Sequence, residues 1–300
     1  MGPLPSLLDA SYDEKNQIFT LGNEHVQIRI NLQEKIGEGT FSNVFFCISE
    51  IKPKYSPFKS ALKIVADPRH SQAATYLLRE HQVVHFLKDH SISPRSLKEK
   101  SWAVFRFKNL TCLWEKLYIG DLFDNLEIFN ACPLLKRIHA LYKIIYTIYQ
   151  CHACSIFGFD IKPLNILIDE EGELVLSDLG GCTHQDELGT KSCVAPPPLY
   201  CIATKGFFSV TDWKKAEKAS EKKDWKKVFT LGCQRDVYAL GKSLLILFEE
   251  SSDMPDQIYP LIGRMCDENP EKRPHIITVR HLFAKVTFDL FLLAKKQSRR

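Results

Sequence analysis

Asp160-Ile-Lys-Pro-Leu-Asn165, followed by the shorter motif Asp178-Leu-Gly180, is the stretch that decides the fold of this 300-residue chain. Between the two motifs, residues 166–177 read as a strand, an acidic turn with a glycine, and a second strand. Such a hairpin fixes the separation of the motifs. Two carboxylates, an amide and an ammonium group are therefore expected at the ends of adjacent short strands.

These four polar groups are the set that transfer of a phosphoryl group to a hydroxyl requires. Asp160 can take the proton of an attacking hydroxyl, while Lys162 can neutralise charge on the phosphoryl group. Asp178 and Asn165 offer oxygen atoms that can hold Mg²⁺ on the phosphates. One motif alone would be moderately specific, but the pair at this spacing is a strong signal for phosphoryl transfer.

Together the two motifs resemble the catalytic and metal-binding loops of eukaryotic-type Ser/Thr protein kinases. The segment from Ile36 to Val44, Ile-Gly-Glu-Gly-Thr-Phe-Ser-Asn-Val, resembles the Gly-rich loop of that family. Gly37 and Gly39 would let the backbone come close to phosphates, because neither carries a Cβ. The third glycine of the family pattern is Ser42 here, which predicts a stiffer tip.

A lysine and a glutamate complete the expected phosphate-binding groups. Ala61-Leu-Lys-Ile64 resembles the third-strand lysine motif, with Lys63 directed at the α- and β-phosphates. Glu80 is the expected partner of Lys63, since a carboxylate on an inward helical stripe needs a cation. The apolar members of that stripe are Leu77, Val84 and Leu87.

The resemblance also implies the remaining nucleotide contacts. Residues 113–117 resemble the hinge, with backbone groups of Glu115 and Leu117 facing adenine and with Trp114 as a bulky gatekeeper. Asp121 would lie near the ribose. The apolar residues expected to border the nucleotide are Ile36, Val44, Ala61 and Leu167.

Two later segments extend the resemblance toward the end of the chain. Residues 189–197, Gly-Thr-Lys-Ser-Cys-Val-Ala-Pro-Pro, resemble the end of the activation segment. Thr190 within them would bond near the catalytic aspartate in the arrangement typical of Ser/Thr specificity. Asp236-Val-Tyr-Ala-Leu-Gly241 matches the start of the buried central helix.

Three further positions depart from the family pattern. Gly158 and Phe159 stand where a histidine and an arginine usually precede the catalytic aspartate. Because that arginine pairs with a phosphorylated activation segment, its absence predicts activity without a phosphate at Thr183. Pro197 replaces a glutamate that usually pairs with the arginine seen here as Arg273. A buried unpaired guanidinium would be costly, so a substitute carboxylate is expected.

The resemblance leaves three function classes open. The first is an active Ser/Thr protein kinase that uses ATP with Mg²⁺, or with Mn²⁺ in its place. The second is a pseudokinase or scaffold that keeps the fold for binding; the presence of Lys63, Asp160 and Asp178 argues against it. The third is a small-molecule kinase, whose catalytic loop also carries a glycine like Gly158. Lys162-Pro163 and the activation segment favour peptide acceptors instead.

The predicted fold is α+β, a bilobal protein kinase fold. A small antiparallel sheet with one helix forms the N-lobe, and a larger, mainly helical C-lobe follows. The expected parts are an N-terminal extension at 1–29, the kinase domain at 30–288 and a basic C-terminal tail at 289–300. Within the domain, the N-lobe covers 30–115, the hinge 116–120 and the C-lobe 121–288, with an insertion at about 205–232.

Composition and net charge limit the kinds of partner and the cellular compartment that can be expected. A net charge of +4 is too small to predict a nucleic-acid partner, and no apolar run is long enough for a transmembrane segment. The ten cysteines form no regular framework and no secretory signal is recognisable. Reduced thiols in the cytoplasm are expected, with the nucleus or a host cell left open. Cys151-His-Ala-Cys154 lacks a second ligand pair, so packing is preferred to metal binding.

Protein substrates, of unspecified identity, are the expected partners. Residues 212–227 carry seven lysines and four acids. We interpret them as a solvated surface helix with intrahelical ion pairs. The alternative is a basic surface at 214–227 that binds an acidic substrate or partner.

Overall fold

The computed structural model describes residues 8–22, 27–38, 42–52, 55–65, 71–89, 101–189, 206–249 and 253–298. The chain divides into two compact units. The N-terminal unit comprises residues 1–91 and 95–118, and the C-terminal unit comprises residues 92–94 and 119–300. None of the described helices combines the length and apolar character that crossing a membrane requires.

Seven strands and one helix make up the described part of the N-terminal unit. The strands are β1 (Leu8–Asp13), β2 (Ile18–Gly22), β3 (Gln27–Glu38), β4 (Asn43–Lys52), β5 (Tyr55–Val65), β6 (Ser101–Phe107) and β7 (Leu110–Lys116), and the helix is α1 (Ser71–Asp89). The strands close a barrel in the order β1-β2-β3-β4-β5-β7-β6. Neighbouring strands are antiparallel except β1 and β6, which run parallel.

The barrel interior is filled by side chains that alternate along the strands, as the period of two requires. Leu62 and Ile64 of β5 and Trp114 of β7 belong to this core. Phe19 and Leu21 of β2 join them, each only 1% exposed. Since β2 precedes residue 30, the predicted N-terminal extension contributes two fully buried side chains to the core of this unit.

The other face of β5 and β7 packs against α1. Ala73 and Leu77 of the helix form a second buried cluster with Val65, Val104 and Leu113. As a consequence both faces of β7 are buried: one lies against the barrel core and the other against the helix. The helix is thereby fixed on the sheet face that carries Lys63.

The C-terminal unit is mainly helical over its described residues. Its helices are α2 (Leu126–Ala131), α3 (Leu134–Ala153), α4 (Val210–Glu221), α5 (Trp225–Phe248), α6 (Tyr259–Met265) and α7 (Ile276–Gln297). Its short strands are β8 (Gly120–Asp121), β9 (Ile156–Phe157), β10 (Ile166–Ile168), β11 (Leu174–Leu176) and β12 (Thr183–His184). The strands form one sheet in the order β11-β10-β8 and a separate pair, β12-β9.

Two long helices form the core of this unit. Helix α3 buries an apolar stripe at Ile138, Leu141, Ile145 and Ile148. Helix α5 is buried along most of its length, and α4 lies in the stretch predicted as an insertion. The predicted α+β fold, with a small sheet unit that has one described helix and a larger helical unit, is confirmed.

Candidate active site

An ion pair joins β5 to α1 in the N-terminal unit. Nζ of Lys63 lies 3.0 Å from Oε2 of Glu80. The Glu80 side chain is almost fully buried, while Lys63 keeps some exposure. Glu80 is flanked on its helix by the buried Leu77 and Val84, as the stripe predicts. The expected pair is present, and it fixes the position of an ammonium group that remains accessible to an anionic ligand.

The Gly-rich segment forms the hairpin between β3 and β4. Gly37 pairs with Val44 across the two strands, and Val44 pairs in turn with Lys63 of β5. The hairpin therefore lies beside the ion pair. Ile36 is exposed, whereas Gly39 lies outside the described residues.

The register between β5 and β7 decides which side chains share the face of Lys63. Ala61 pairs with Glu115, and Leu62 pairs with Trp114. Paired residues share a face of the sheet, whereas successive residues of a strand alternate between faces. The side chain of Glu115 therefore shares the face of Ala61 and Lys63, and Trp114 faces the barrel interior.

Several contacts hold Trp114 in that interior. Its Nε1 donates a 3.0 Å hydrogen bond to Oγ of Ser49, which lies 2.7 Å from Oγ of Ser60. The interpretation of Trp114 as a gatekeeper is therefore wrong. Glu115, expected only for its backbone, brings a buried side chain to the face of Lys63. Leu117 follows β7 and is half-buried.

Asp160, Lys162 and Asn165 come together in the C-terminal unit, in the loop between β9 and β10. Nζ of Lys162 lies 2.7 Å from Oδ2 of Asp160. Nδ2 of Asn165 donates to the backbone oxygen of Asp160 at 2.8 Å and to its Oδ2 at 3.1 Å. A short 3₁₀ turn, Pro163–Asn165, sets this geometry. The three side chains form one hydrogen-bonded cluster.

The predicted hairpin of β10 and β11 connects this cluster to Asp178. The N–H of Ser177 donates a 2.8 Å hydrogen bond to the backbone oxygen of Asn165. Asp178 then adopts left-handed backbone angles, φ 55° and ψ 51°. Aspartate tolerates this region better than most residues, and such angles occur often at functional sites. A main-chain hydrogen bond thus joins the two motifs.

Asp121, assigned to the ribose, and Leu167, assigned to adenine, lie on adjacent strands of one small sheet. Asp121 of β8 is directly opposite Leu167 of β10. Oδ1 of Asp121 accepts a 2.9 Å hydrogen bond from the N–H of Asp124. The sheet therefore places the Asp121 carboxylate and the Leu167 side chain close to the start of the β10–β11 hairpin.

Comparison with known proteins agrees with this geometry. A model of the protein kinase domain matches residues 30–201 of the chain. The chain belongs to the protein kinase family. The matched range includes the ion pair of Lys63 and Glu80, the Asp160 cluster and Asp178.

The kinase has relatives of low identity. It is 27% identical over 190 residues to "cAMP-dependent protein kinase catalytic subunit 3" of Drosophila melanogaster, covering 59% of this chain and 30% of that protein. It is 22% identical over 276 residues to "Serine/threonine-protein kinase 16" of Mus musculus, and the match covers 81% of this chain and 85% of that protein. It is 28% identical over 182 residues to "cAMP-dependent protein kinase catalytic subunit PRKX" of Homo sapiens, and the match covers 59% of this chain and 48% of that protein. The kinase thus spans less than half of the first and third relatives.

A buried carboxylate holds the backbone of the kinase just before Asp160. Asp236 of α5 accepts hydrogen bonds from the N–H of Gly158 at 2.9 Å and of Phe159 at 3.0 Å. Nε2 of His152 lies 3.0 Å from the same carboxylate. Gly158 has a φ of 88°, a conformation that any Cβ would strain. Backbone donors, which every residue except proline has, make the two contacts to Asp236 at these positions.

Sequence reasoning assigned no role to Asp236 or His152. The available signal was the match of residues 236–241 to the start of the central helix. His152 was considered only within the Cys151-His-Ala-Cys154 motif. Burial raises the pKa of the Cys151 thiol well above its usual value, which favours the protonated form over a metal-binding thiolate. The neighbouring His152 has a partner in Asp236 instead.

Arg273 pairs with a substitute carboxylate, as expected from the replacement of its usual glutamate partner by Pro197. Its Nη1 lies 2.7 Å from Oδ2 of Asp212, and both side chains are buried. The guanidinium also lies over the ring of Tyr238, 4.6 Å from its centroid. Burial raises the pKa of Asp212, and Arg273 offsets this shift only in part. Since Asp212 belongs to α4, the stretch predicted as an insertion supplies a carboxylate in place of the glutamate that Pro197 replaces.

The first part of the activation segment is fixed by a strand pair. Thr183 of β12 lies opposite Phe157 of β9. The Thr183 side chain is 0% exposed, and its Oγ1 has no hydrogen-bond partner among the described residues. His184 begins a capped turn in which its Nδ1 accepts from the N–H of Asp186 at 3.2 Å. This part of the segment is ordered through packing and local hydrogen bonds.

The segment then packs against α5. Leu188 shares a buried cluster with Phe157 and Val228. Gly189 has a φ of 74°, and a Cβ there would come within 2.6 Å of the ring of Trp225. The close approach of Trp225 therefore requires glycine. Thr190 and Pro197 lie outside the described residues.

The donor set of the Asp160 loop suits a magnesium ion. Mg²⁺ prefers oxygen ligands and is usually held by one or two carboxylates together with phosphates. Nδ2 of Asn165 is used by Asp160, which leaves Oδ1 of the amide as the acceptor available to a cation. Asp178 contributes a carboxylate after a strained turn. These two residues fit the hard ion that the kinase family uses.

Proposed function

We propose that this kinase is active and transfers the γ-phosphoryl group of ATP to serine or threonine hydroxyls of protein substrates. The observation that carries the proposal is the cluster of Asp160, Lys162 and Asn165, linked through Ser177 to Asp178. Catalysis of phosphoryl transfer rests on positioning and electrostatic stabilisation. A cluster held by four short contacts supplies both.

Each member of the cluster has a distinct proposed role. Asp160 orients the acceptor hydroxyl and takes its proton. Lys162 neutralises charge on the transferred phosphoryl group. Asn165 and Asp178 would hold Mg²⁺, or Mn²⁺ in its place, and the metal would supply neutralisation of charge on the phosphates. Thr190 is proposed to bond near Asp160 and so to help distinguish Ser and Thr acceptors.

The proposed nucleotide contacts are those that the resemblance to the family implies. Lys63, held by Glu80, binds the α- and β-phosphates, and the backbone at Gly37 and Gly39 approaches the phosphates. Asp121 bonds the ribose. The contacts proposed for adenine are the side chains of Ile36, Val44, Ala61 and Leu167 and the backbone of Glu115 and Leu117.

A binding module that keeps the fold without catalysis is the second candidate function. The changes at Gly158 and Phe159 favour it, because the usual side chains before the catalytic aspartate are missing. Three contacts weigh against it. Asp236 holds both positions through their backbone N–H groups, and Lys63 keeps its ion pair with Glu80. Protein acceptors complete the proposal.

The test is phosphate transfer by the purified chain. The kinase is incubated with Mg²⁺ and ATP labelled at the γ-phosphate, together with a generic protein substrate, and label on serine or threonine is measured. A parallel sample with a chelator controls for metal dependence. Transfer that requires the metal and disappears in Asp160→Asn supports the proposal. Binding of ATP without any transfer favours the binding module.

A further inference from the structure

The exposed side of α4 and of the turn into α5 is densely basic. Of the charged residues at 212–227, Asp212 is buried against Arg273, and Nζ of Lys215 lies 3.0 Å from Oδ1 of Asn269. Six exposed lysines and three exposed acids remain. The lysines, here named the lysine surface, are Lys214, Lys218, Lys222, Lys223, Lys226 and Lys227.

The predicted intrahelical ion pairs do not form on this surface. Among the described residues, none of its six lysines makes an ion pair with a carboxylate. Asp224 instead caps α5, its Oδ1 accepting a 3.1 Å hydrogen bond from the N–H of Lys227. The interpretation of the segment as a helix stabilised by its own ion pairs is wrong in this respect. The ammonium groups are available to an external anion.

Local stability explains only part of the arrangement, since the helix dipole favours Lys218 in the last turn of α4. Lys214 and Lys218 are four residues apart on one helix, a spacing at which like charges destabilise. Lys223 has a φ of 55°, a conformation in which glycine or asparagine would be less strained. A segment that breaks two local rules without a visible gain in packing is expected to serve function.

The buried side of the same helices contacts the activation segment. Ala216 and Ala219 of α4 share a cluster with Leu188. The ring of Trp225, between two pairs of lysines in the sequence, lies against Gly189. The lysine surface therefore starts beside the last described residue of the segment that, in the proposed function, receives the acceptor.

We propose that the lysine surface docks an acidic stretch of the protein substrate, outside the residues that surround the phosphorylated hydroxyl. This inference rests on the proposed function. Clustered exposed cations attract acidic chains and speed their association, more strongly at low salt. One exposed ion pair contributes little, so several glutamates or aspartates must bind together.

The chemistry of the surface favours an acidic peptide over other polyanions. All exposed side chains from 214 to 227 are charged, so none can insert into a bilayer. Its cations are all lysines, and its aromatic side chain, Trp225, already packs on Gly189. Stacking on a base, which single-stranded nucleic acid needs, is therefore not offered there.

Two fluorescent peptides test the proposal. Both carry one serine, followed after about eight residues by six glutamates in one peptide and six glutamines in the other. The docking variant replaces Lys222, Lys223, Lys226 and Lys227 with glutamine. The control variant makes the same change at four other exposed lysines of the C-terminal unit, Lys272, Lys285, Lys295 and Lys296. Thermal melts establish that both variants fold.

The parent and the control variant are expected to prefer the glutamate peptide by roughly tenfold in kcat/KM, mostly through KM, and to lose the preference at high salt. The docking variant should show no preference and an unchanged rate on the glutamine peptide. Equal rates of the parent on both peptides would overturn the inference while leaving the proposed function intact. Equal loss of the preference in both variants would also overturn it.

Binding without turnover separates the two proposals. Fluorescence anisotropy of the glutamate peptide is measured without ATP on the parent and on both variants. If neither peptide is phosphorylated but the glutamate peptide binds and only the docking variant loses it, the docking surface stands and the catalytic assignment fails. Tighter binding of a short DNA duplex or of phosphatidylserine vesicles, lost in the same variant, would assign the surface to a different partner.

Discussion

The N–H of Phe159 donates a 3.0 Å hydrogen bond to Oδ1 of Asp236, although Phe159 stands where the family usually has arginine. The contact uses only the backbone, as does the neighbouring contact of Gly158. Replacing both side chains therefore leaves the support of the Asp160 loop in place. This relationship explains how the cluster of Asp160, Lys162 and Asn165 can form in a chain with an unusual sequence just before it.

Removal of the Asp236 carboxylate should disturb this loop. In Asp236→Ala, two buried N–H groups lose their acceptor, at about 1–3 kcal/mol each in the free energy of unfolding. Displacement of Asp160 should lower kcat by about 100-fold, with a smaller change in KM for ATP. Denaturant unfolding and initial rates check both effects. Asp256→Ala, at an exposed carboxylate, is the control and should change neither. A normal kcat in a destabilised Asp236→Ala would show that the loop does not depend on this support.

The roles of Asp160 and Lys63 can be separated by binding and rate. Asp160→Asn should abolish transfer but retain ATP binding, because its proposed role is toward the acceptor. Lys63→Met should weaken both ATP binding and phosphate transfer, since it removes the cation held by Glu80. ATP binding is measured by thermal shift and transfer by label incorporation. Lys59→Met, an exposed lysine of the same strand, is the matched control and should behave like the parent. Undiminished transfer by Asp160→Asn would contradict the assignment.

The buried pair of Arg273 and Asp212 should respond differently to single and double changes. Arg273→Met leaves a buried carboxylate without its cation and should cost about 3–5 kcal/mol in the free energy of unfolding. The double variant with Asp212→Leu removes both charges and should be much less destabilised than the sum of the two single changes. Denaturant unfolding of all three variants measures the coupling. Additive effects would mean that the pair contributes no specific interaction.

The pH dependence of that single change follows from Asp212. Burial already raises its pKa, and loss of Arg273 removes the main opposing influence. A carboxyl group whose pKa is higher in the folded than in the unfolded state favours folding below its unfolded pKa, and this contribution is lost as pH rises through the folded pKa. The penalty of Arg273→Met should therefore be smaller near pH 4.5 than at pH 7. A penalty that grows on acidification would contradict this sign.

The N-terminal hairpin should be part of the stable N-terminal unit. Phe19 is buried in the barrel against Phe105 and Tyr12, with ring centroids 5.4 and 4.5 Å away. Phe19→Ala should lower the free energy of unfolding by about 3–5 kcal/mol, whereas Lys15→Ala in the exposed turn should have little effect. A version that begins at residue 27 should lose ATP-dependent thermal stabilisation. Unchanged stability in Phe19→Ala would show that the hairpin is dispensable.

The features that could be predicted are those whose residues lie close together in the sequence. The Asp160 motif, its hairpin and the pair of Lys63 and Glu80 are encoded in short spacings, and the structure has them as expected. The faces of β7 could not be predicted in the same way. Residues 111–115 are all buried, because one face meets the barrel core and the other meets α1. Without an alternation of polar and apolar residues, nothing in the sequence indicated that Glu115 rather than Trp114 shares the face of Lys63.

Contacts between residues that are far apart in the sequence were equally hard to predict. Asp212 was predicted only as an unnamed carboxylate for Arg273, since residues 61 positions apart meet through the packing of α4. The contribution of β2 to the barrel was missed because two buried residues, Phe19 and Leu21, are too few to distinguish a core strand from a polar extension.

Activity should not require phosphorylation of the activation segment at Thr183. This side chain is fully buried opposite Phe157 and would need the β12–β9 pair to open before a phosphate could be attached. Phe159 offers no cation for such a phosphate, while Leu188 and Gly189 already pack against α5. A preparation treated with phosphatase, then freed of it, should phosphorylate an added substrate at full initial rate, and Thr183→Val, which keeps the shape of the side chain, should match it. A lag that autophosphorylation removes in the parent, and that persists in Thr183→Val, would show that a phosphate switch operates despite this packing.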